Sequence, residues 1–157
     1  MHYQIYEFYP EHGVDKEILN IILKIGSQIP EFGSEHNIQK LESRLTDKIC
    51  AIIIAYDNQL PVAYKIGYAL SSYQFYSWLG AVVPKYRKKG IADAMLQQQE
   101  SWVIDHNYNT ISVRSMNRFP AMLHMLISRG YHISGYIDNG TSDNSKVCFI
   151  KDIRGVQ

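Results

Sequence analysis

Near the start of the chain Tyr3, Ile5 and Phe8 are spaced among polar residues in a way that predicts a short strand. Val14, Ile18, Ile21, Ile22 and Ile25 then recur at helical spacing, with Asp15 placed to cap the helix and Gly26 to stop it. After the loop Gln28-Ile29-Pro30-Glu31-Phe32-Gly33, a second, shorter helix is expected to start at Ser34 and to bury Ile38, Leu41 and Leu45. The run from Ile49 to Tyr56 is continuously apolar and rich in β-branched residues, as in a strand covered on both faces, and Asp57-Asn58-Gln59 turns the chain. Strands follow from about Val62 to Leu70 and from Phe75 to Val83, the latter ended by Pro84. Ile91, Ala92, Met95, Leu96, Trp102 and Val103 mark one face of a long helix whose other face holds Asp93, Gln97, Gln98, Glu100 and Asp105. The rest reads as a strand Thr110 to Arg114, a helix Phe119 to Arg129, a strand Tyr131 to Ile137, a polar loop Asp138 to Ser145 and a strand Lys146 to Ile150. The order β-α-α-β-β-β-α-β-α-β-β predicts an α/β protein on a mixed sheet, because strands joined through helices in the second half need crossovers and therefore pair in parallel.

Length and composition narrow this picture. With 157 residues, no internal repeat and no linker, the chain is expected to form a single domain over 1–157. Its 46% apolar and 20% charged residues exclude disorder for most of the length. Lys and Arg outnumber Asp and Glu by only 16 to 15, so no net field is available to hold nucleic acid or an anionic membrane, and any attraction to phosphate must be local. The two cysteines, Cys50 and Cys148, sit in apolar runs, which argues against a disulfide scaffold. The first ten residues carry no basic and apolar signal segment, and no apolar run is long enough for a membrane helix, so a cytoplasmic protein is expected. The six histidines show no paired helical spacing with a supporting carboxylate, and no metal site is expected.

The chemistry concentrates in Pro84-Lys85-Tyr86-Arg87-Lys88-Lys89-Gly90-Ile91-Ala92, between a strand and the long helix. A helix start exposes unpaired backbone N–H groups and the positive end of the helix dipole, so it favours an anion. Gly90 lets backbone approach a ligand closely, small Ala92 keeps the first turn open, and four cations precede the first acid, Asp93. A phosphate or pyrophosphate is the expected guest. The bland alternative is a solvated basic helix entrance.

Arg87-Lys88-Lys89-Gly90-Ile91-Ala92, after a strand carrying Val82 and ending at Pro84, resembles the Q/R-x-x-G-x-G/A motif of the GNAT acetyltransferases. Asn117, Gly130-Tyr131 and the element order extend the resemblance through the chain. The resemblance implies a GNAT-like acyl-CoA N-acyltransferase fold with acetyl-CoA as cosubstrate. It implies that the backbone of Arg87, Lys88, Lys89, Gly90, Ile91 and Ala92 cradles the pyrophosphate, and that the strands Phe75 to Val83 and Thr110 to Arg114 splay to admit pantetheine. Val82 would offer backbone groups to the acetyl and pantetheine end, with Val83 beside it, and Asn117 is also assigned to the cofactor. Their side chains can at the same time pack as ordinary core.

The chain departs from the family where a Tyr would protonate the leaving thiolate, seven residues after an Asn and four before a Gly-Phe pair. Here those positions are His124, counted from Asn117, and Leu126, counted from Gly130. His124 is a candidate acid, although Ser128 on the same side suggests a solvated face. An acceptor amine with a pKa of about 10.4 must also lose a proton. Glu31 and Glu35, in the region that lines the family's acceptor cleft, and Tyr76, with Ser77 on the central strand, are the candidates. Each also has a plain reading, Glu35 as favourable at a helix N-terminus and Tyr76 as packing. Phe32, Tyr68, Tyr73, Tyr76 and Trp78 could wall an acceptor pocket, with Trp78 mostly core. The loop Asp138 to Ser145 is expected to be a mobile solvent loop, with a border on the acceptor site or a homodimer contact left open.

The reading is an N-acetyltransferase acting on a primary amine of a small molecule or peptide in a ternary complex, with no nucleic-acid or membrane partner. The alternatives are a CoA-binding module without turnover, and a nucleotide-phosphate or nucleic-acid binder using the Lys85 to Lys89 patch.

Overall fold

A computed structural model describes residues 1–32 and 37–154 of the protein. The elements are β1 (His2–Phe8), α1 (Lys16–Gly26), α2 (Ile38–Leu45), β2 (Cys50–Asp57), β3 (Leu60–Ala69), β4 (Gln74–Val82), α3 (Ile91–Asp105), β5 (Thr110–Met116), α4 (Pro120–Ser128), β6 (His132–Ile137) and β7 (Lys146–Asp152). The predicted α/β order is therefore the observed one, with an unpredicted 3-10 turn at Pro84–Tyr86 added before α3. The strands hydrogen-bond in the order β1-β2-β3-β4-β5-β7-β6. No helix of the described residues is long and apolar enough to cross a membrane.

The continuous apolar run behaves as its composition demands. Cys50 through Ile54 and Ala55 are all buried, and β2 pairs antiparallel with β1 on one side and β3 on the other. The β2–β3 turn closes through Asn58 at φ 56°, a left-handed conformation that Asn tolerates better than most residues. Helix α1 starts where Asp15 accepts a hydrogen bond from the Glu17 N–H at 2.9 Å, and its Leu19, Ile22 and Ile25 are fully buried. It runs on through Gly26, and Ser27 caps it. For α2 the cap is Asn37, whose side chain accepts from the Lys40 N–H at 3.0 Å. The expected start at Ser34, and Glu35 with it, lie outside the described residues.

The chain groups into two compact units, Met1–Ala69 with Leu79–Gln99, and Leu70–Trp78 with Glu100–Gln157. In the first, Ile53, Ala55, Val62, Ala63, Ile91 and Met95 form a buried cluster against which Tyr3, Ile5, Val82 and Tyr86 pack. Each such Ile removed from water is worth ~1.5–3 kcal/mol, so the first turn of α3 is anchored by Ile91 and Met95. In the second, Phe75 lies 5.3 Å from both Trp102 and Tyr108, ring centre to ring centre. Here β4 and β5 pair in parallel from Gln74↔Thr110 to Ser77↔Val113, and β7 pairs antiparallel with β5 and β6.

Two expectations need amendment. Glu100 is not on a solvent face: its side chain is 13% exposed and accepts from the Tyr131 hydroxyl at 2.7 Å and the Lys151 ammonium at 3.1 Å. Trp78 is half-buried rather than core. The loop after β6 is exposed from Asp138 to Asn144, as a solvent loop should be, and is tied to itself: the Ser145 hydroxyl donates to the Thr141 carbonyl at 2.6 Å and accepts from the Asn139 N–H at 3.0 Å, and the Asn139 amide donates to the Asn144 carbonyl at 2.9 Å.

Candidate functional site

The segment between β4 and α3 is held at both ends. At its start the Val83 N–H donates to the Val62 carbonyl at 2.9 Å, and Pro84 then opens a 3-10 turn in which the Tyr86 and Arg87 N–H groups return to Val83 and Pro84 carbonyls at 2.8 and 3.2 Å. Tyr86 is its pillar. The ring packs on the buried cluster of the first unit, and the hydroxyl donates to the Asp57 carboxylate at 2.6 Å. That hydrogen bond, with burial behind it, holds the phenol above its ordinary pKa. The Lys85 and Lys89 ammoniums lie 5.8 and 5.5 Å from the same ring, close enough for cation–π attraction.

Between these anchors the backbone is unusual. Lys88 has φ 62° and Gly90 φ 80°, the left-handed conformations from which backbone anion nests are built. A Cβ added at Gly90 would meet no heavy atom within 4 Å, so the space in front of it is open. The first helical bond at this end runs from the Ala94 N–H to the Gly90 carbonyl at 3.0 Å, which leaves the Ile91 and Ala92 N–H groups ahead of the hydrogen-bonded ladder. Lys85, Lys88, Lys89 and Gly90 are exposed. Geometry and charge together suit an anionic group.

Arg87 takes a different course from the lysines. Its Nε–H donates to the Val82 carbonyl at 3.1 Å, and its two terminal nitrogens donate to the two oxygens of Glu31 at 3.0 and 3.1 Å. Two residues that the sequence suggested for separate tasks are thus in one bidentate ion pair.

The other candidates are scattered over several elements. Tyr76 is half-buried on β4 opposite Ser112 of β5, with the Arg114 guanidinium 5.8 Å from its ring centre. His124 is exposed on α4, and Asn117 is exposed just after β5, where its N–H donates to the Ser145 carbonyl at 2.9 Å. Of the aromatic candidates, Tyr68 is buried and receives a hydrogen bond from Arg44 at 3.3 Å, while Tyr73 is exposed. Phe32 lines a hollow of about 360 Å³ with Leu23, Ile29 and Ile38, between α1 and α2. Among the described residues no three His, Cys, Asp or Glu side chains are grouped to hold a metal ion.

Sequence reasoning missed several features here. The Tyr86–Asp57 pillar joins residues 29 positions apart, and nothing local announces it. Ser77 and Gln99 are each 1% exposed, and among the described residues neither the Ser77 hydroxyl nor the Gln99 amide has a hydrogen-bond partner. Gln99 could have been suspected only from its place between the apolar and polar faces of the long helix.

No family model matches the sequence, and no curated protein matches it either. Solved structures do. The chain is similar to the ribosomal-protein-S18-alanine N-acetyltransferase from Escherichia coli, with a TM-score of 0.77, 15% identity and coverage of 97% of this chain and 94% of that one. It is similar to the aminoglycoside 6'-N-acetyltransferase from Enterococcus faecium, at TM-score 0.71 and 14% identity, over 96% and 97% of the two chains. A GNAT family acetyltransferase from Elizabethkingia anophelis with acetyl-CoA bound matches at TM-score 0.66 and 12% identity, again over 96% and 97%. At identities this low the likeness is one of backbone, and with the element order and sheet order above it leads to one conclusion: the protein has the fold of the GNAT acetyltransferases.

Proposed function

We propose that the protein is an N-acetyltransferase that moves the acetyl group from acetyl-CoA to a primary amine by direct attack in a ternary complex. The observation that carries this reading is the opening of α3, where Gly90 faces open space at positive φ, free N–H groups follow it and lysines flank it. The pyrophosphate of the donor would accept from the N–H groups between Arg87 and Ala92, with the helix dipole and Lys88 and Lys89 adding to the attraction. Pantetheine would run along the end of β4, which continues to Val82 after its parallel register with β5 has ended at Ser77.

The reaction asks four things of the chain. It must hold the thioester, and the backbone at Val82 and Val83 is assigned to that. It must place an N–H at the thioester oxygen, where negative charge develops as the amine attacks. It must let the amine shed its proton, for which Glu31, Glu35 and Tyr76 are the assigned groups. The carbon–nitrogen bond forms, the carbon–sulfur bond breaks, and the thiolate takes a proton from His124 or from water. His124 stands in solvent, so the second source remains open to the reaction whether or not the first is used. Replacing His124 by Ala is then expected to lower turnover less than tenfold.

The acceptor is assigned as a small amine or a peptide. The similar structures include an enzyme for a ribosomal-protein alanine and one for an aminoglycoside, so this backbone serves acceptors of both kinds. The near-neutral charge of the chain supports the smaller class over nucleic acid.

Calorimetric titration with acetyl-CoA, with ATP and with a short oligonucleotide tests the reading, followed by thiol release in a panel of amines. Acetyl-CoA alone is expected to bind. Binding of acetyl-CoA without thiol release from any amine would favour a CoA-binding module. Binding of ATP or oligonucleotide in its place would overturn the assignment.

A further inference from the structure

Arg87 belongs to the loop assigned to the pyrophosphate, yet its side chain is turned along the end of β4. The Nε–H is held by the Val82 carbonyl at 3.1 Å, and the outer edge of the guanidinium is closed by both oxygens of Glu31 at 3.0 and 3.1 Å. The fork geometry matches a carboxylate in two bonds at once, so Glu31 sets where the guanidinium lies. Glu31 is itself presented by a firm turn. The Ile29 N–H donates to the Gly26 carbonyl at 3.0 Å and the Phe32 N–H to the Ile29 carbonyl at 3.1 Å, while the Ile29 side chain is 5% exposed. The carboxylate is thus carried on the turn that follows α1, anchored by buried Ile29 and 56 positions before Arg87.

We propose that Glu31 is a positioning residue that latches Arg87 across the Val82 carbonyl and lowers the affinity for the acyl-thioester donor until the donor displaces it. The inference rests on the acetyl-CoA reading. It adds to that reading that the donor uses both groups that the latch engages: the Val82 carbonyl would accept from an amide N–H of pantetheine, and the Arg87 guanidinium would take phosphate oxygens. Donor binding exchanges one charge-assisted pair for another. The exposures of the pair, 40% for Arg87 and 37% for Glu31, suit a contact that a ligand can open, because ion pairs in solvent are weak. A fully buried pair would hold the track shut.

Removing a negative charge near a phosphate site would tighten any phosphate ligand, so the test uses two donors. Acetyl-CoA carries the pyrophosphate, whereas S-acetylpantetheine has no phosphate but makes the same demand on Val82. Dissociation constants are measured for both, by calorimetry and by NMR titration at millimolar fragment, on the native protein, Glu31→Gln and Arg87→Ala. The expected result is that Glu31→Gln binds both donors about threefold to fivefold tighter. Arg87→Ala should bind S-acetylpantetheine tighter and acetyl-CoA more weakly, having lost the latch and a phosphate partner together. Tightening of acetyl-CoA alone in Glu31→Gln would overturn the latch in favour of simple charge removal. Unchanged or weaker binding of both in that variant, or no binding of S-acetylpantetheine to any of the proteins, would also overturn it while leaving the donor assignment intact. Failure of the native protein to bind acetyl-CoA would overturn the donor assignment, and the latch with it.

Discussion

Gly90 carries more of the proposed site than any of the cations around it. Its φ of 80° is a conformation that costs an L-residue ~1–2 kcal/mol, and the space where a side chain would stand is empty. Gly90→Asp puts a carboxylate into that space, and acetyl-CoA binding is expected to fall at least a hundredfold while circular dichroism stays native. An unchanged dissociation constant would place the phosphate elsewhere. Tyr86 supports the same loop from beneath. Removing its hydroxyl in Tyr86→Phe leaves Asp57 without the 2.6 Å bond and is expected to lower the urea midpoint of unfolding. Of these two residues only Gly90 was legible in the sequence, since a glycine beside a helix start carries its meaning locally, whereas the partner of Tyr86 lies across the sheet.

At the scale of elements, α3 shows where periodicity stops being informative. Its apolar positions locate the helix and its core face, yet Glu100 on the supposed polar face is bonded to Tyr131, just before β6, and to Lys151 of β7. The Tyr131 phenol is 3% exposed, and burial first, then the Glu100 charge and hydrogen bond, raise its pKa above the ordinary 10. The folded protein therefore keeps that proton where the unfolded chain gives it up. Its contribution to stability is complete below pH 10 and is lost as pH rises from there toward the folded value. Tyr131→Phe is expected to be less stable than the native protein at pH 8, with the gap narrowing above pH 10. Urea midpoints at pH 8, 10 and 11 would show it, and a gap that stays constant would mean that the hydroxyl does not titrate with unfolding.

For the whole molecule, ligand linkage gives the broadest check. Acetyl-CoA at a hundred times its dissociation constant adds ~2.7 kcal/mol to the folded state, which for a chain of this size is a rise of about 5–10 °C in Tm. The same concentration of a short oligonucleotide is expected to give no rise at physiological salt, since Lys and Arg exceed Asp and Glu by 16 to 15 only. A rise with the oligonucleotide alone would favour the basic patch as a nucleic-acid surface. The similarity in backbone to several acetyltransferases at 12–15% identity shows that very different sequences reach the same architecture.

Element order, the buried strand β2 and the basic, glycine-bearing loop that opens α3 were determined by the sequence alone, because each depends on residues adjacent or one helical turn apart. Ile49 to Tyr56 is apolar without a break, and Arg87 to Ala92 lies along one short stretch of backbone. Only the tertiary structure decided which side chains meet. Arg87 and Glu31, Tyr86 and Asp57, and Glu100 with Tyr131 and Lys151 are joined across 29 to 56 positions of chain. Such a partner is chosen by strand register and helix packing, which sum many weak apolar contacts over the core, so no single stretch of sequence contains the choice.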